Sequence, residues 1–578
     1  MKFLRLSDPL LNILFENEDI VAFDKPYGVN THTNDSKLGQ TEFVQDGLIE
    51  LLEKQLGQKL HIVHRLDQTT TGVIIFGKTA EAAKKYAAFF FDREVKKTYW
   101  FITGAHSTDT AQPPPLFQTS FEIDQMILHK GREFEAKTAF CKLASTARFA
   151  KWEARPFTGR NHQIRIHAQA AGIALLGDTK YEGHPYPFLC LHNHKIEFPN
   201  GLSIISEAPA YFYDLKILED SKLARIFHEV DRRQRLFLAS EKSDQCLRLI
   251  HNKNDKADLG YSLDQFGESL LLSWYSERWT DQDRSRFSHF AQSYGRQIFI
   301  RLMHNRGKDP VNKTQQVISA QNPKTTPSEA KAWTAVENKI QYEIRSDSGQ
   351  SFGLFLDQRL QRQWVRENSK DKSLLNLFSY TCGFSVAGAM GGASQVTSVD
   401  TNKNVLNWGK KNFELNSIPL EPHRFYCRDS ITFLDQCVNK NQKFDLVICD
   451  PPSFSRGENG IFKIEVALET LIEKCLLTLN QDGSLLFSTN SEHLFIDDIR
   501  RAIHKVYKKI VTRSRAAPPS AKTSTHASTD STTDSKTQAS GQILNQELEI
   551  FSILSSLDHE LPDAPPILKS FLIQLIPE

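Results

Sequence analysis

From about residue 350 onward, "SLLNLFSY", "FSVAGAMGG", "QVTSVD", "NVLNWGKKNFELN" and "FDLVICDPP" follow one another as strand, helix, strand, helix, strand. Parallel strands need long crossovers between them, and helices supply these, so the alternation is the signature of a parallel α/β sheet. The first 210 residues have a different rhythm of many short strands with turns between them. "DIVAFDKPYGVNTH" reads as a strand then a Pro-Gly turn, and "YWFITGAH" as a strand that ends at glycine. A chain of 578 residues is too long for one hydrophobic core and suggests roughly three or four domains. The expected fold class is therefore multidomain, α+β followed by α/β.

The boundaries are drawn at composition shifts. Residues 1–210 form the first unit, and 211–242, with "LEDSKLARIFHEVDRRQRLFLAS", are expected to be a helical linker. Residues 243–345 alternate strand and helix signals around a polar, loop-like gap from Asn305 to Thr326, and 346–578 carry the α/β pattern. Within the last unit, 516–541 is a Ser/Thr/Ala/Lys run with few apolar residues, expected to be disordered. The strand-like "QELEIFSILSS" and "ILKSFLIQLIPE" come after it, so the run is expected to interrupt the α/β unit.

Composition limits the setting. The eight cysteines form no CxxC pair, which fits reduced thiols and excludes a disulfide framework or zinc ribbon. No apolar run approaches the ~20 residues that span a bilayer. The N-terminal stretch is broken by acids too early for a signal peptide, and a cytoplasmic protein is expected, without membrane partners. A net charge of +2 leaves any basic surface to local clusters such as "RRAIHKVYKKIVTRSR", although a charged helix is more often a solvated face.

Two stretches concentrate chemistry in the first unit. In "HRLDQTTTG", Asp67 sits at a strand-to-turn corner beside Arg65, three threonines and a glycine. An Asp near a turn usually caps nearby amides. In "FTGRNHQIRIHAQAAGIALLGDTKYEG", a Gly-Arg loop leads into a helix expected from about Asn161 and stopped at Gly172. Arg165 lies in it among apolar residues and calls for a buried partner, because an unpaired buried charge is costly. Histidines are dense here, but His162 and His167 fall on different faces of a helix, and no cysteine or carboxylate completes a ligand spacing, so no metal is expected.

Together these stretches resemble the RluA-type pseudouridine synthases. The H-R-L-D-x-x-T-x-G hallmark stands here as His64 to Gly72, with Thr71 replacing the usual serine, and G-R-x-H-Q-I-R-x-H as Gly159 to His167. "DKPYGV", "REVKKTYW" and "LLGDTKYEG" also match, so the resemblance covers most of residues 12–210. It implies a mixed-sheet synthase fold, isomerisation of uridine without a cofactor, and Asp67 as the catalytic carboxylate, either nucleophile or base. It further implies that Arg165 keeps Asp67 ionised and aimed, and that Tyr99 lies against the base and helps remove its C5 proton. The family often carries an S4-type RNA-binding domain ahead of this fold; about ten residues precede the match, so none is expected.

In the α/β unit, "LLNLFSYTCGFSVAGAMGG" is a strand, tight turn and helix, and "VTSVDTN" ends the next strand on Asp400. An acid about 20 residues after such a turn is placed to accept ribose hydroxyls. "FDLVICDPPSFSRG" delivers Asp450, Pro451, Pro452 and Phe454 to the same edge. Acid, prolines and aromatic suit methylation of a base nitrogen: a carboxylate and a carbonyl face the base edge, and a ring stacks on its face.

This region resembles the class I S-adenosylmethionine-dependent methyltransferases that modify bacterial 23S rRNA, through "GLFLDQR", "NLFSYTCGF", "SVDTNKNVLNWGKKNFELN", "CRDSITFL" and "DPPSF". Upstream, "CLRLIHNKNDKADLGYSLDQFGESLLL" matches the small α+β domain that precedes the methyltransferase there. The resemblance implies a Rossmann-like fold and S-adenosylmethionine as cofactor. Ser379, Thr381 and Gly383 would line its methionine end, Asp400 hold the ribose, Asp429 the adenine, and Asp450 the reacting edge. Cys382 departs from the family's usual glycine. Methylating C5 of cytosine requires a cysteine, and "LLFSTNSEHL", which would carry it, has none, while Cys449 reads as core. Relatives with an Asn-containing segment there methylate guanine, which favours guanine N7 or N2.

The expected whole is a bifunctional RNA-modifying enzyme acting on 23S rRNA, with tRNA as the other candidate and no DNA. Rival expectations are a cytosine-C5 methyltransferase head, a ribosome-assembly factor with a degenerate head, and a methyltransferase for proteins or small molecules.

Overall fold

The computed structural model describes residues 3–4, 11–33, 47–104, 119–129, 131–236, 246–252, 259–276, 278–303, 316–318, 332–348, 351–457, 460–516, 546–553 and 568–577. Three sheets of different character organise it.

The first is ten-stranded and mixed, running Ile13–Glu16, Ile20–Lys25, Thr71–Gly77, Leu191–Glu197, Lys96–Gly104, Phe149–Pro156, Lys137–Ser145, Ser120–Asp124, with two short strands beside it. Its register brings two distant stretches together. Asn193 pairs with Gly72 on one side and with Tyr99 on the other, so the corner that carries Asp67 lies one strand away from Tyr99. Gly72 is obligatory there: its φ is 108°, and a Cβ would sit 2.2 Å from the Asn193 carbonyl.

The second sheet has five strands, Cys246–Ile250, Tyr261–Phe266, Ser269–Trp274, Gln297–Leu302 and Gln316–Ile318. The last of these falls inside the stretch expected to be a loop-like gap; the rest of Asn305 to Thr326 lies outside the described residues. Apolar residues stand on both faces of these strands because both faces are covered. Leu270, Leu272, Ile298 and Ile300 face a core shared with the first sheet and the helix Ser221–Leu236. The intervening Leu271 and Phe299 face a second core shared with the hairpin of Ala332–Glu337 and Ile340–Arg345 and with the helices Gly383–Met390 and Lys403–Leu415. The stretch expected to be a helical linker is thus a helix buried along much of its length, with Leu223, Ala224, Ile226, Phe227 and Val230 in the first core.

The third sheet has eight strands, ordered Phe3–Leu4, Gln546–Ile553, Lys569–Pro577, Leu479–Thr489, Phe444–Cys449, Ser373–Leu377, Gln395–Asp400, Arg424–Cys427. The last five are parallel, and Lys569–Pro577 is antiparallel to Leu479–Thr489. From Ser373–Leu377 the chain first moves outward through Gln395–Asp400, then crosses back to Phe444–Cys449 on the other side. That reversal opens a crevice at the carboxyl ends of the strands. The segment expected to be disordered, 516–541, lies outside the described residues beyond Ala516, where the helix Ile496–Ala516 ends. Among the described residues, no helix is long and apolar enough to cross a membrane.

Candidate active sites

The turn that carries Asp67 is fastened at every shoulder. His64 at its start accepts the Ile75 amide hydrogen at Nε2 (3.1 Å) and stacks on Phe90 at 4.7 Å. Burial drives this imidazole's pKa down to about 3, with the Lys97 charge adding to the effect, so it stays neutral. Thr31 donates its hydroxyl to the Leu66 carbonyl (3.1 Å), and the Thr70 amide closes the turn onto the Asp67 carbonyl (3.0 Å). Beneath lies Lys25, fully buried, whose ammonium donates to the carbonyls of Pro26 (3.1 Å), Gln68 (3.0 Å) and Thr70 (2.9 Å). Burial lowers its pKa to about 7, against the opposing pull of Asp67. Arg65 is exposed.

Two groups from distant parts of the chain lie beside the Asp67 carboxylate, and two more feel its charge. Arg165 Nη1 lies 3.5 Å from Oδ2 and His162 Nε2 lies 3.6 Å from it. The Tyr99 phenol is held well above its ordinary pKa by burial and then by the Asp67 charge. Lys25 completes the set. The helix begins at Gln163 rather than Asn161, because His162 takes a left-handed conformation (φ 56°), which ends the loop and aims its ring at Asp67.

Arg165 has a closer partner than Asp67. Its Nε and Nη2 fork onto the fully buried Asp178 at 2.7 and 2.8 Å. Asp178 also accepts the amides of Lys180 and Tyr181. The Tyr181 ring lies 5.0 Å under the guanidinium, and its hydroxyl meets His162 Nδ1 at 2.8 Å. Asp178 therefore compensates the buried arginine and fixes its plane, and a single Nη1 is left to face Asp67. Lys25, Asp178 and Tyr181 were not among the expected site residues, although "DKPYGV" and "LLGDTKYEG" contain them. Two further histidines are engaged in the fold: His167 meets Thr138 Oγ1 at 2.9 Å and His192 meets Thr71 Oγ1 at 2.8 Å. Among the described residues no group of His, Cys, Asp and Glu could hold a metal.

The second site is a cleft of about 1510 Å³ at the crevice of the third sheet. It gathers Ser379, Thr381, Gly383, Asp400, Asp429, Asp450, Pro451 and Phe454, and adds Asp357, Gln358, Arg362 and Asn490. Asp400 ends its strand with one oxygen accepting the Tyr380 amide and the other the Asn402 amide, each at 2.9 Å. Each oxygen keeps a lone pair for a hydroxyl. Asp429 caps the helix Ser430–Asn439 by accepting the Thr432 amide at Oδ1 (2.9 Å), which leaves Oδ2 for the cleft. Thr381 donates its hydroxyl to the Gly353 carbonyl, so its side chain braces the turn. An acid with two accepting oxygens, a second acid farther along the edge and a glycine opening a helix suit the hydroxyls, adenine and amino-acid end of S-adenosylmethionine.

Asp450 stands apart electrostatically. Burial pushes its pKa up to about 7, the neighbouring Asp357 adds to the rise, and Arg362 and Gln358 oppose it. Arg362 opposes it only partly, because its Nε and Nη2 fork onto Glu337 at 2.7 Å each. Ser453 donates to Asn490 Oδ1 (2.9 Å), tying the segment after the prolines to the end of the neighbouring strand. Phe454 is half-exposed at the mouth, in a hairpin of Phe454–Gly457 with Gly460–Lys463. Cys449 is buried, its thiol raised far above the ordinary range by Cys475 and burial. Cys427 is the one cysteine on the cleft among the described residues. The cations of "RRAIHKVYKKIVTRSR" are partly spent: Lys505 pairs with Glu469, and Lys509 and Arg513 with Glu473, each at 2.7 Å.

Two family models match separate parts of the chain. Residues 19–170 match the family model described as RNA pseudouridylate synthase, and residues 303–498 the one described as S-adenosylmethionine-dependent methyltransferase. The Ribosomal RNA large subunit methyltransferase K of Neisseria meningitidis is 38% identical over 165 residues, 28% of this chain and 47% of that protein. The Ribosomal RNA large subunit methyltransferase K/L of Psychrobacter cryohalolentis is 38% identical over 148 residues, 25% of this chain and 19% of that protein. The chain thus spans less than half the length of these curated relatives. Among solved structures, human RNA Pseudouridylate Synthase Domain Containing 4 is 24% identical, with a TM-score of 0.28, covering 35% of this chain and 90% of that one.

Proposed function

We propose that this chain, which joins a region of the RNA pseudouridylate synthase family to one of the S-adenosylmethionine-dependent methyltransferase family, isomerises a uridine and methylates a guanine in 23S rRNA. The synthase unit is assigned residues 1–210 except Phe3–Leu4, which pair with Gln546–Ile553 in the third sheet. The methyltransferase is assigned 346–578 and the small α+β unit 243–345, with 211–242 connecting them. The observation that carries the reading is the convergence on one carboxylate, Asp67, of groups as far apart in the chain as Lys25, Tyr99, His162 and Arg165.

Isomerisation breaks the bond from N1 to the ribose, turns the base and rejoins it through C5; N1 gains a proton and C5 loses one, with no redox change. Asp67 acts on the ribose side as nucleophile or base, and Arg165 Nη1 holds it in place. Tyr99 keeps its proton at neutral pH, since burial raises its pKa. Its proposed role is to lie against the base and help remove the C5 proton.

S-adenosylmethionine supplies an electrophilic methyl group when bound. Ser379, Thr381 and Gly383 receive its amino-acid end, Asp400 its ribose and Asp429 its adenine. Asp450 and the Pro451 carbonyl hold the guanine edge while Phe454 covers its face. Methylation of cytosine at C5 needs a cysteine nucleophile. Cys449 is buried and its thiol pKa is pushed up by Cys475 and burial, which leaves Cys427, on the cleft, as the thiol among the described residues for the adduct test to examine.

The test uses the full chain on an unmodified 23S rRNA transcript, with pseudouridine mapping and methyl detection by mass spectrometry. Asp67→Asn should abolish pseudouridine formation and leave methylation intact, and Asp450→Ala should do the reverse. Full pseudouridylation by Asp67→Asn would sink the synthase assignment. A covalent adduct on 5-fluorocytidine RNA, lost with Cys427→Ser or Cys449→Ser, would replace guanine with cytosine.

A further inference from the structure

The helix Ser221–Leu236 leads from the ten-stranded sheet to the five-stranded one, and its last turn carries a buried cation. The Arg235 guanidinium is engaged on all sides. Nε and Nη2 fork onto Asp231 one turn back (2.7 and 3.0 Å), and Nη2 also donates to the Glu207 carbonyl (2.6 Å). Nη1 donates to Asp24 and to Ser206 Oγ, the latter at 3.2 Å. Asp24 is itself buried; burial raises its pKa and Arg235 is the strongest influence holding it down.

Two tracks run from this cluster to the turn of Asp67. Asp24 precedes Lys25 in the same strand, and the Lys25 ammonium clamps the carbonyls of Gln68 and Thr70 on the far side of that turn. On the other track, Ser206 donates its hydroxyl to Asp24 (2.6 Å), and its carbonyl faces His192 Nε2 (3.1 Å). A carbonyl only accepts, so Nε2 carries the proton and Nδ1 accepts the Thr71 hydroxyl (2.8 Å). Thr71 opens the strand that leaves the turn.

We infer that Arg235 is a positioning residue of the synthase site. It fixes Asp24 and Ser206, and through them Lys25 and Thr71, and so holds the Asp67 turn in register. The connecting helix, and with it the folding of the rest of the chain behind it, is then part of the pseudouridylation machinery rather than a tether. This inference rests on the reading of Asp67 as the catalytic carboxylate.

The experiment takes the full chain and an unmodified 23S rRNA transcript, and compares Arg235→Met, Arg235→Lys, Arg235→Met with Asp24→Asn, and Asp67→Asn. It reads kcat and KM for pseudouridine formation, with methylation by the same chain and the thermal midpoint as controls for folding. A shift of the turn by ångström scale should lower kcat for Arg235→Met by roughly 10- to 100-fold with KM little changed. Methylation should persist, and Arg235→Lys, which keeps the charge on Asp24, should regain much of the rate. If Arg235→Met does not fold, the double variant, which removes both buried charges, decides, and it should fold yet remain slow. Wild-type kcat in the folded fraction of either variant would overturn the inference, as would a loss that only tracks the folded fraction. An active Asp67→Asn would instead overturn the reading beneath it.

Discussion

Asp450 shows how one side chain's surroundings set the conditions under which a head works. Its pKa lies at about 7 because burial and Asp357 outweigh Gln358 and an arginine already committed to Glu337. The proposed role of accepting hydrogens from a guanine edge requires the ionised form, whose fraction rises about tenfold between pH 6 and pH 8 for a group of that pKa. Methylation at subsaturating RNA should follow that rise and level off above pH 8, and Asp450→Asn should be slow and nearly flat over the same range. A wild-type profile already flat from pH 6 would show that the charge on Asp450 is not required. The sign for stability is opposite. The folded chain holds this proton more tightly than the unfolded one, so the group's contribution is fully present below the ordinary Asp range and is lost as pH rises through about 7. Asp67, Asp400 and Asp450 stand out in the sequence because each sits in a recognisable local motif, the role proposed for Asp67 coming with the resemblance alone. Lys25 and Asp178 lie inside matching stretches, but what they do, like the part played by Arg235, is defined by a partner brought in by tertiary folding; Arg235 and Asp24 are 211 positions apart.

At the scale of the element, the turn after Ser373–Leu377 is the most strained piece of the cleft. Phe378, Tyr380 and Cys382 all lie at positive φ, 53°, 46° and 62°, without a glycine among them. Such residues cost of order 1–3 kcal/mol each and persist only where their surroundings over-determine them. Here the Ser379 amide donates to the Val399 carbonyl and the Tyr380 amide to Asp400, each at 2.9 Å. The glycine of "YTCGF" pointed to a tight turn, yet Gly383 is the first residue of the helix and the left-handed position falls to Cys382. The spacing of strand, turn and acid was legible; which residue absorbs the strain was not, because that depends on what packs behind it. Behind it is Gly409, where a Cβ would lie 2.3 Å from the Cys382 sulfur. Gly409→Ala should therefore destabilise the chain by about 1–3 kcal/mol through overpacking and weaken S-adenosylmethionine binding. Cys382→Gly in that background should recover most of both, since glycine vacates the space and tolerates the backbone conformation. Denaturant melts and calorimetric titration of the two single variants and the double would measure the coupling. Additive effects would mean that the two residues do not share the space.

At the scale of the whole molecule, the first and last units were legible as separate patterns, while the stretch between them read as alternating strand and helix signals around a polar gap. The five-stranded sheet formed there has both faces buried, and a one-dimensional pattern cannot assign those faces to particular neighbours. In Gln297–Leu302, Ile298 and Ile300 point into the core shared with the ten-stranded sheet, and Phe299 points into the core shared with the helices Gly383–Met390 and Lys403–Leu415. Alternation with period two thus puts adjacent residues of one strand into the cores of different heads. A sheet common to two cores should bind their unfolding into one cooperative event, because neither core can open without exposing the strand that closes the other. Ile300→Ala should cost about 2–5 kcal/mol and Phe299→Ala about 3–5 kcal/mol, the range for cavities in well-packed cores. Each should lower the midpoint of the same transition, whether it is followed by loss of pseudouridylation or by loss of methylation. S-adenosylmethionine, which stabilises whatever unfolds together with its site, should then raise the temperature at which pseudouridylation is lost as well. If the heads unfold independently, calorimetry will show two transitions, the cofactor will move only one, and Ile300→Ala will leave the methyltransferase transition where it was.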